Sequence, residues 1–588
     1  MSLYSCRIHR LTLLRYHRRL FSMASPGSLN EQITAQTVLL NQLRLQNDAS
    51  ALEEAKKKLG ELKKSLAMSK GADAGGSKDA AKKRERLLLK TAKGTRDFGP
   101  AEMACRERIE RTVKDCFSAF GGACLDTPVF ERKDILTGKY GEDAKLIFDL
   151  MDQGGEQLAL RYDHTVPLAR YLAMSGATNT QSKLWQVGKV YRRDNPVVSK
   201  GRMREFSQAD FDISGTWDTM IPDCEIVSLL CTVLSKLDVG EFTIKINHRK
   251  ILDGIFEVCG VPTDKIRSIS SAVDKLDKMP WIEVKKEMTE EKGLDPVVAD
   301  KIGEYVKLKG GPELLKTLEA DSTLLANASA KQGVSEMALL FTYLGVRLTF
   351  SKLSFDLSLA RGLDYYTGII YEAVVEASAP PGFQTEGADA PKKKSKKPKA
   401  DGEEEEIDES TVGVGSIAAG GRYDNLVNMF TAAAAADGKK AVSLPCIGVS
   451  FGLDRIFAIV WPKWKLQTGR CKDTMVYVMA AGDGLLEERI RLVRELREGG
   501  IKADFLAKKK PKLTAQFAAG EQDEVPFAII LGAQELEDGQ VRVKQQRWNI
   551  VDGVRAKIQA EEGDNGALVQ RAGLVEWIKA TKTYQDAI

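Results

Sequence analysis

The chain has few residues of the kinds that bind metals or form disulfides. Its 588 residues include nine cysteines, none in a Cys-x-x-Cys pair, and four histidines. The cysteine pattern argues against a zinc knuckle and a secreted disulfide framework, and favours a reducing compartment. Because His9 and His17 lie in the first 22 residues, only His164 and His248 remain. Two histidines are too few for a histidine metal cage, and they leave few candidates for the histidine of a Ser-His-Asp triad.

Two further absences narrow the class of protein. No apolar run approaches the ~20 residues that cross a bilayer, so we expect no membrane association. No Gly-x-x-x-x-Gly-Lys-Ser/Thr loop occurs, so any nucleotide chemistry must use another scaffold. The net charge is only +5, and the basic residues are clustered at 56–58, 82–84 and 508–510. Such clusters suit a polyanionic partner, although solvated helix faces also explain them.

The N-terminus has the composition of a targeting segment. Residues 1–22 are rich in arginine, and the first acidic residue is Glu31. This pattern predicts a mitochondrial presequence, and the alternative is a disordered basic tail. Met23 follows directly and could be a second initiator. We therefore expect both a mitochondrial and a cytoplasmic product.

A helical segment follows this leader. Ser28-x-x-Glu31 is a capping box that opens a helix, and one leucine stripe then recurs every seven residues. A single stripe is enough for a helical hairpin or a weak coiled coil, or for a simple packing helix. We predict a leader over 1–27, a helical appendage over 28–70 and a basic linker over 71–90.

An antiparallel hairpin is predicted from residues 185–194 and 203–214. Strand alternation places Ala209, Phe211 and Ile213 on an apolar face suited to a core. The opposite face gathers polar groups around one aromatic ring: Arg204, Phe206, Gln208, Asp210 and Asp212. A solvated outer face is the alternative, but Phe206 fits it poorly.

Two other strand ends carry polar residues. Residues 354–359 alternate like a strand, and Arg361, Asp364, Tyr365 and Tyr366 follow around Gly362. An arginine held at a strand end binds carboxylate or phosphate bidentately, although an Arg361–Asp364 ion pair is the alternative. In the earlier segment 161–165, Asp163 and Thr165 face together and His164 points away, as a packing residue.

These segments resemble motifs of histidyl-tRNA synthetases. Residues 360–372 resemble the family's histidine-specific signature, and residues 412–425 resemble its second specificity block. The hairpin is similar to the second class II synthetase motif, and residues 448–457 to the third. Residues 123–130, read as one strand, resemble the first motif, whose Pro128 lies at the dimer interface in the family.

The resemblance implies a role for each site residue. It implies that Arg192 holds the ATP α-phosphate, that Phe206 stacks on adenine, and that Arg455 clamps the γ-phosphate. Arg202 or Arg204 would contact the outer phosphates. Arg361 would lie between the substrate carboxylate and the α-phosphate, so Arg361 and Arg192 are the implied catalytic residues. The implied histidine-binding residues are Asp163, Thr165, Gln208, Asp212, Arg361, Tyr365 and Tyr366.

The resemblance also implies the architecture and the partners. We expect an α+β fold: a class II antiparallel catalytic sheet over 91–462, with a helical insertion at 241–346 and a charged disordered loop at 376–411. An α/β anticodon-binding domain would occupy 470–588. The implied partners are L-histidine, ATP with Mg²⁺, tRNA(His) and a second copy of the chain, without a protein-held metal. The alternative is a catalytically silent synthetase-like sensor of histidine or tRNA.

Overall fold

The computed structural model describes most of the chain. The described residues are 32–38, 55–65, 89–151, 154–175, 181–277, 279–347, 350–360, 365–375, 414–434, 443–468, 470–483, 485–551, 554–558 and 565–586. The predicted leader 1–27, the charged loop 376–411 and Arg361 lie outside them. The chain divides into two compact units, Met1–Lys90 and Thr91–Ile588.

The first unit contains helical residues at 32–38 and 55–65. The Gln36 side chain donates a hydrogen bond of 3.3 Å to the carbonyl of Ala55, which is buried. The two described segments of the predicted appendage are therefore in contact with each other.

The second unit is built on a nine-stranded sheet. In chain order the first eleven strands are β1 (Ala123–Cys124), β2 (Phe130–Arg132), β3 (Leu158–Leu160), β4 (Gln181–Tyr191), β5 (Glu205–Gly215), β6 (Phe242–His248), β7 (Lys309–Gly310), β8 (Leu353–Asp356), β9 (Ile369–Val375), β10 (Ala418–Arg422) and β11 (Cys446–Gly452). The sheet has the order β1-β4-β5-β11-β10-β9-β6-β8-β7, and β2 and β3 pair separately. Its central pairs from β4 to β6 are all antiparallel.

Helices cover this sheet and fill the long connections. They are α1 (Pro100–Ala119), α2 (Lys133–Leu136), α3 (Thr165–Ser175), α4 (Ile221–Lys236), α5 (Arg249–Cys259), α6 (Ile266–Val273), α7 (Trp281–Lys286), α8 (Pro296–Val306), α9 (Glu313–Ala320), α10 (Ser322–Leu325), α11 (Ala328–Arg347), α12 (Leu426–Ala434) and α13 (Leu453–Thr468). Phe117 of α1 lies 5.3 Å from Phe211 and 5.9 Å from Phe451, between ring centroids. Phe211 thus packs under helix α1, and because side chains alternate along a strand, the face of β5 that carries Phe211 belongs to the core.

The structure changes three sequence expectations. Residues 123–130 are not one strand: β1 pairs with β4, and the chain then leaves the sheet so that β2 pairs with β3. Pro128 lies between them and cannot donate to a ladder. The predicted insertion begins with β6, a strand between β9 and β8, so the helical part starts at Arg249. Helix α13 continues past Pro462 to Thr468.

The C-terminal part forms a smaller α/β layer. Its strands are β12 (Val476–Ala480), β13 (Ala503–Phe505), β14 (Phe527–Leu531), β15 (Gln540–Gln545), β16 (Trp548–Val551), β17 (Val554–Lys557) and β18 (Ala567–Gln570), and its helices are α14 (Leu486–Glu498), α15 (Leu513–Gln522), α16 (Ala533–Glu537), α17 (Leu574–Ala580) and α18 (Lys582–Gln585). The sheet order is β13-β12-β14-β15-β18, with β12 parallel to both neighbours. Of the helices that the structure describes, none has both the length and the apolar character to cross a bilayer.

Candidate active site

A pocket of about 240 Å³ opens on the nine-stranded sheet, over β5, β9, β10 and β11. Its wall includes these residues that the sequence singled out: Asp163, Thr165, Arg192, Phe206, Gln208, Tyr365, Tyr366 and Arg455. They come from sequence positions almost 300 residues apart, and the antiparallel order of the strands brings them together. The sheet therefore builds one site from separate motifs.

Strand β5 supplies one wall of the pocket. Phe206, Gln208 and Asp210 line the pocket. Ala209 and Phe211, on the opposite face of the strand, are buried in the core. This is the face assignment that the hairpin pattern predicts. The adjacent strand carries Gly448 because a Cβ there would meet the Asp212 carboxylate at 1.7 Å.

The arginine group consists of Arg192, Arg202 and Arg455. The Arg192 guanidinium lies over two rings, 4.1 Å from the Tyr162 centroid and 5.2 Å from the Phe206 centroid. Its Nε donates to the Tyr162 carbonyl at 3.2 Å. Stacking on aromatic faces holds a guanidinium in place without neutralising it, so Arg192 stays available to an anion.

Arg202 and Arg455 meet at a glycine. A Cβ built on Gly415 would lie 2.9 Å from Arg202 Nη2 and 3.8 Å from Arg455 Nη1, and Gly415 has a φ of +76°. A side chain would be strained there and would displace the Arg202 guanidinium, while it would only touch that of Arg455. Arg455 also donates to the Ser416 carbonyl. Arg202 is next to the pocket wall without forming part of it.

The acidic cluster consists of Asp163, Asp210 and Asp212, all buried. Asp163 Oδ1 accepts hydrogen bonds from the Tyr140 hydroxyl at 2.9 Å and the Val166 amide at 3.1 Å. Asp163 Oδ2 and Gln208 Oε1 are buried without a hydrogen-bond partner among the described residues. Buried acceptors without donors cost free energy, so this end of the pocket suits a ligand with N–H donors.

Burial tunes the charge of the acidic cluster. It raises the pKa of Asp163, raises the pKa of Asp212 to about 7 and raises the pKa of Asp210 well above its usual range. The Tyr423 hydroxyl donates to Asp212 and opposes that rise, as Ser450 Oγ does for Asp210 at 2.6 Å. Burial also raises the pKa of Tyr365 and Tyr366, so both remain neutral donors at pH 7.

Besides Arg202, two predicted site residues that the structure describes, Asp212 and Arg204, do not line the pocket. Asp212 lies against Gly448 behind the lining residues, bonded to Tyr423. The Arg204 stem packs on Gly94, and its Nε donates to the Asp194 carbonyl at 3.1 Å, in the loop between β4 and β5. Arg361 lies outside the described residues.

Two residues near the motifs have structural partners. His164 is buried with Nε2 3.3 Å from the Gly188 carbonyl, and burial lowers its pKa to about 3, as fits a neutral packing residue. Arg422, in the second specificity block, forms ion pairs with Asp223 and Asp424. It therefore ties β10 to α4.

Sequence reasoning gave no role to Arg106 or Glu372. Glu372 lines the pocket from β9, and Arg106 contacts Asp454 from helix α1. Alternation along β9 was a usable signal for Glu372. Nothing in the local pattern around Arg106 marks a contact with a residue 348 positions away.

Comparison with known proteins identifies the family. Residues 94–382 match the histidyl-tRNA synthetase family model, and residues 475–562 match an anticodon-binding domain. The chain is 49% identical over 482 residues to a cytoplasmic histidine–tRNA ligase of Takifugu rubripes, covering 81% of this chain and 88% of the relative. A mitochondrial histidine–tRNA ligase of Saccharomyces cerevisiae is 48% identical over 512 residues, covering 85% and 89%.

A solved structure agrees with this result. The histidyl-tRNA synthetase of Nostoc sp. PCC 7120 superimposes with a TM-score of 0.63 at 25% identity, covering 84% of this chain and 99% of that one. The predicted class II fold is thereby confirmed. On the sequence identity, the coverage and the shared fold together, the chain belongs to the histidyl-tRNA synthetase family.

Proposed function

We propose that the protein activates L-histidine with ATP and transfers the histidyl group to tRNA(His). Membership of a ligase family supports this function. The observation that carries it is one pocket in which arginines and an aromatic ring meet buried acceptors without donors. The arginines suit the triphosphate of ATP, and the buried acceptors suit the α-ammonium of an amino acid.

The arginine group is the proposed nucleotide site. Arg192 would hold the α-phosphate, Phe206 would stack on adenine, and Arg455 would hold the γ-phosphate. Arg202, beside Arg455 at Gly415, is better placed than Arg204 for the outer phosphates. Fixed donors aimed at developing charge supply much of the transition-state stabilisation in such sites.

The acidic cluster is the proposed histidine site. Asp163, Thr165 and Gln208 would hold the α-ammonium, whose N–H donors match the acceptors on Asp163 and Gln208. Asp212 and Tyr366 would hold the imidazole, with Tyr365 packed beside Tyr366 at 5.1 Å between centroids. A site that satisfies polar edges can reject substrates lacking them by ~10⁴–10⁵ without editing.

The activation step is an in-line displacement. A histidine carboxylate oxygen attacks the α-phosphorus, the bond to the α–β bridging oxygen breaks, and pyrophosphate leaves. Arg192, with Arg361 as the proposed second catalytic residue, would neutralise charge on the α-phosphate and hold the two anions together. The ribose 3′-hydroxyl of tRNA then attacks the adenylate carbonyl, and AMP leaves.

Mg²⁺ is proposed to enter with ATP. No group of three or more His, Cys, Asp or Glu side chains able to hold a metal occurs in the described parts of the chain. Four carboxylates line the pocket, and two of them, Asp210 and Glu372, have no proposed contact with the α-ammonium and no salt bridge with Arg106. Mg²⁺ keeps several waters and binds through few carboxylates and substrate phosphates, so these residues fit a Mg²⁺ carried by ATP.

We propose that the two domains have separate roles: residues 91–462 activate histidine, and residues 470–588 bind tRNA. The match of residues 475–562 to an anticodon-binding domain supports the second role. The appendage 28–70 is proposed as an additional tRNA contact. Deleting residues 1–70 would then raise the KM for tRNA and leave histidine activation unchanged.

A homodimer is proposed through the first motif. Val129 and Phe130, directly after Pro128, are exposed, and so are Leu150 and Met151, in the segment that pairs with β3; Met151 reaches 87%. Adjacent exposed apolar side chains are typical of an interaction surface. Phe130→Asp should give a monomer in sedimentation, with Met174→Asp, another exposed apolar position, as the control; a persistent dimer would contradict this interface.

Both compartments are proposed as locations. Relatives named cytoplasmic and mitochondrial both match the chain. Residues 1–22 would act as the presequence, and translation from Met23 would give the cytoplasmic form. Fusing residues 1–30 to a reporter tests this, and a purely cytosolic signal would contradict it.

The activity itself is tested by histidine-dependent ATP–pyrophosphate exchange and by charging of tRNA(His). A catalytically silent sensor would bind histidine or tRNA without either reaction. The presence of Arg192 and Arg455 in the pocket favours the enzyme. No exchange by the folded, intact chain would overturn the proposal.

A further inference from the structure

Arg106 joins two elements of the proposed nucleotide site. It lies on α1, and its guanidinium forms a salt bridge with Asp454 at the start of α13. Its other terminal nitrogen donates to Ser207 Oγ on β5 at 3.2 Å. The second Asp454 oxygen accepts from the Ser207 amide at 2.6 Å. The three residues therefore form a closed set of contacts, the Arg106 clamp.

The clamp is held in place by stacking and burial. The Arg106 guanidinium lies 4.0 Å from the Phe98 ring centroid and 5.7 Å from the Phe457 centroid. Its side chain is 14% exposed and that of Asp454 is 3% exposed. A charge-assisted pair removed from water has a defined geometry, unlike a surface ion pair.

The two partners of Arg106 are each next in sequence to a residue that is proposed to bind ATP. Ser207 follows Phe206, and Asp454 precedes Arg455. Asp454 itself lines the pocket. A shift of either backbone by an ångström would move the adenine-stacking ring relative to the γ-phosphate arginine.

The loop that carries Gly201 packs against the backbone of Asp454 and Arg455. A Cβ on Gly201 would lie 2.5 Å from the Asp454 carbonyl oxygen and 2.8 Å from Arg455 Cα. Gly201 has a φ of +69° and precedes Arg202. The segment that carries Arg202 therefore packs directly on the backbone that the clamp fixes.

We propose that Arg106 is a positioning residue for ATP: through Asp454 and Ser207 it sets the spacing of Phe206, Arg202 and Arg455. It contacts neither the arginine group nor the acidic cluster in the described structure, so it acts through other residues. The inference rests on the proposed function, because it assumes that these three residues bind ATP.

The test compares Arg106→Met with the double variant Arg106→Met/Asp454→Asn in pyrophosphate exchange. Methionine keeps the stem against Phe98 and loses every donor. The single variant leaves a buried carboxylate without its cation, so it lowers stability as well. The double variant removes both charges and should unfold near the wild-type temperature. Arg108→Met, at an exposed position of the same helix, is the matched control.

In the double variant we expect the KM for ATP to rise roughly 10- to 100-fold, because small misplacements of binding groups have effects of that size. The KM for histidine should change less than about twofold. Arg106→Lys should rescue only part of the effect, since an ammonium cannot bridge two partners as a planar fork does.

Two results would overturn the inference. A double variant that regains both stability and the normal KM for ATP would show that the clamp serves folding alone. A parallel rise of both KM values would show a general loss of structure. Arg455→Ala separates this from the proposed function: if it leaves the KM for ATP unchanged, the nucleotide site itself is misplaced.

Discussion

The acidic cluster and the arginine group share one pocket but differ in how the protein holds their charge. The acidic cluster is buried, and burial raises the pKa of each of its carboxyls. Arg192 lies over aromatic rings, and no ion pair of its side chain occurs among the described residues. Burial therefore disfavours the ionised form of the acids until a cationic ligand arrives, whereas Arg192 can meet an anion without first breaking an ion pair.

With histidine bound at the acidic cluster and ATP at the arginine group, as proposed, this difference should make histidine binding depend on pH more strongly than ATP binding does. Arg192 is itself one of the charges that oppose the rise in the pKa of Asp163 and Asp210. It is thus the electrostatic link between the two ends of the pocket. Variants at each end should separate the two kinds of charge.

The largest effect is expected for Arg192→Ala. Removal of a donor fixed at the reacting phosphate costs about 10²–10³ in rate, so histidine-dependent exchange should fall by that factor. The unfolding temperature should remain close to that of the wild type, since the side chain is partly exposed. Arg193→Ala, the adjacent and exposed arginine, is the control. Near-normal exchange by Arg192→Ala would remove this residue from the site.

Asp163→Asn should produce the next largest effect. A hydrogen bond to a charged group contributes ~1.5–3 kcal/mol, so the KM for histidine should rise roughly 10- to 150-fold. The KM for ATP should change less than about twofold. Asp126→Asn, with a side chain that is 90% exposed, serves as the control. A similar rise in both KM values would contradict the division of the pocket into two ends.

Local patterns were sufficient to predict the wall of the site that β5 forms. Its face assignment depends on period-two alternation alone, and Phe206 and Gln208 line the pocket as predicted. Alternation does not determine which strands become neighbours. The separation of β1 from β2 and the place of β6 in the main sheet depend on long-range pairing, which the sequence pattern does not contain.

Contacts between distant arginines and acids were also beyond the sequence pattern. Arg422 stood in a glycine-rich block next to the expected substrate, yet Asp223 and Asp424 pair with it. Arg106 stood in an ordinary amphipathic helix, yet it reaches Asp454. Composition shows that such charges exist. Only the fold decides whether an acid, a carbonyl or a ligand will face each one.

The pH dependence of histidine binding should follow Asp212. Burial raises its pKa from 3.8 to about 7, so the carboxylate proposed to accept from the imidazole is present above pH 7 and is lost below it. The KM for histidine should therefore rise by up to tenfold per pH unit as pH falls below 7. The KM for ATP should lack this step. In Asp212→Asn only the titration of free histidine should remain, and an unchanged profile would exclude Asp212.

The smallest effect is expected for Tyr423→Phe, which tests what tunes Asp212. The Tyr423 hydroxyl donates to Asp212 and lowers its pKa, in opposition to burial. A net hydrogen bond contributes ~0.5–1.5 kcal/mol, so its loss should move the midpoint of the histidine profile upward by about one pH unit or less. Tyr371→Phe is the matched control, because that hydroxyl donates to the Gly448 carbonyl at 2.6 Å and not to a carboxylate. A shift in neither variant would mean that the Tyr423 hydroxyl does not tune Asp212, and an equal shift in both would mean a general change in the pocket.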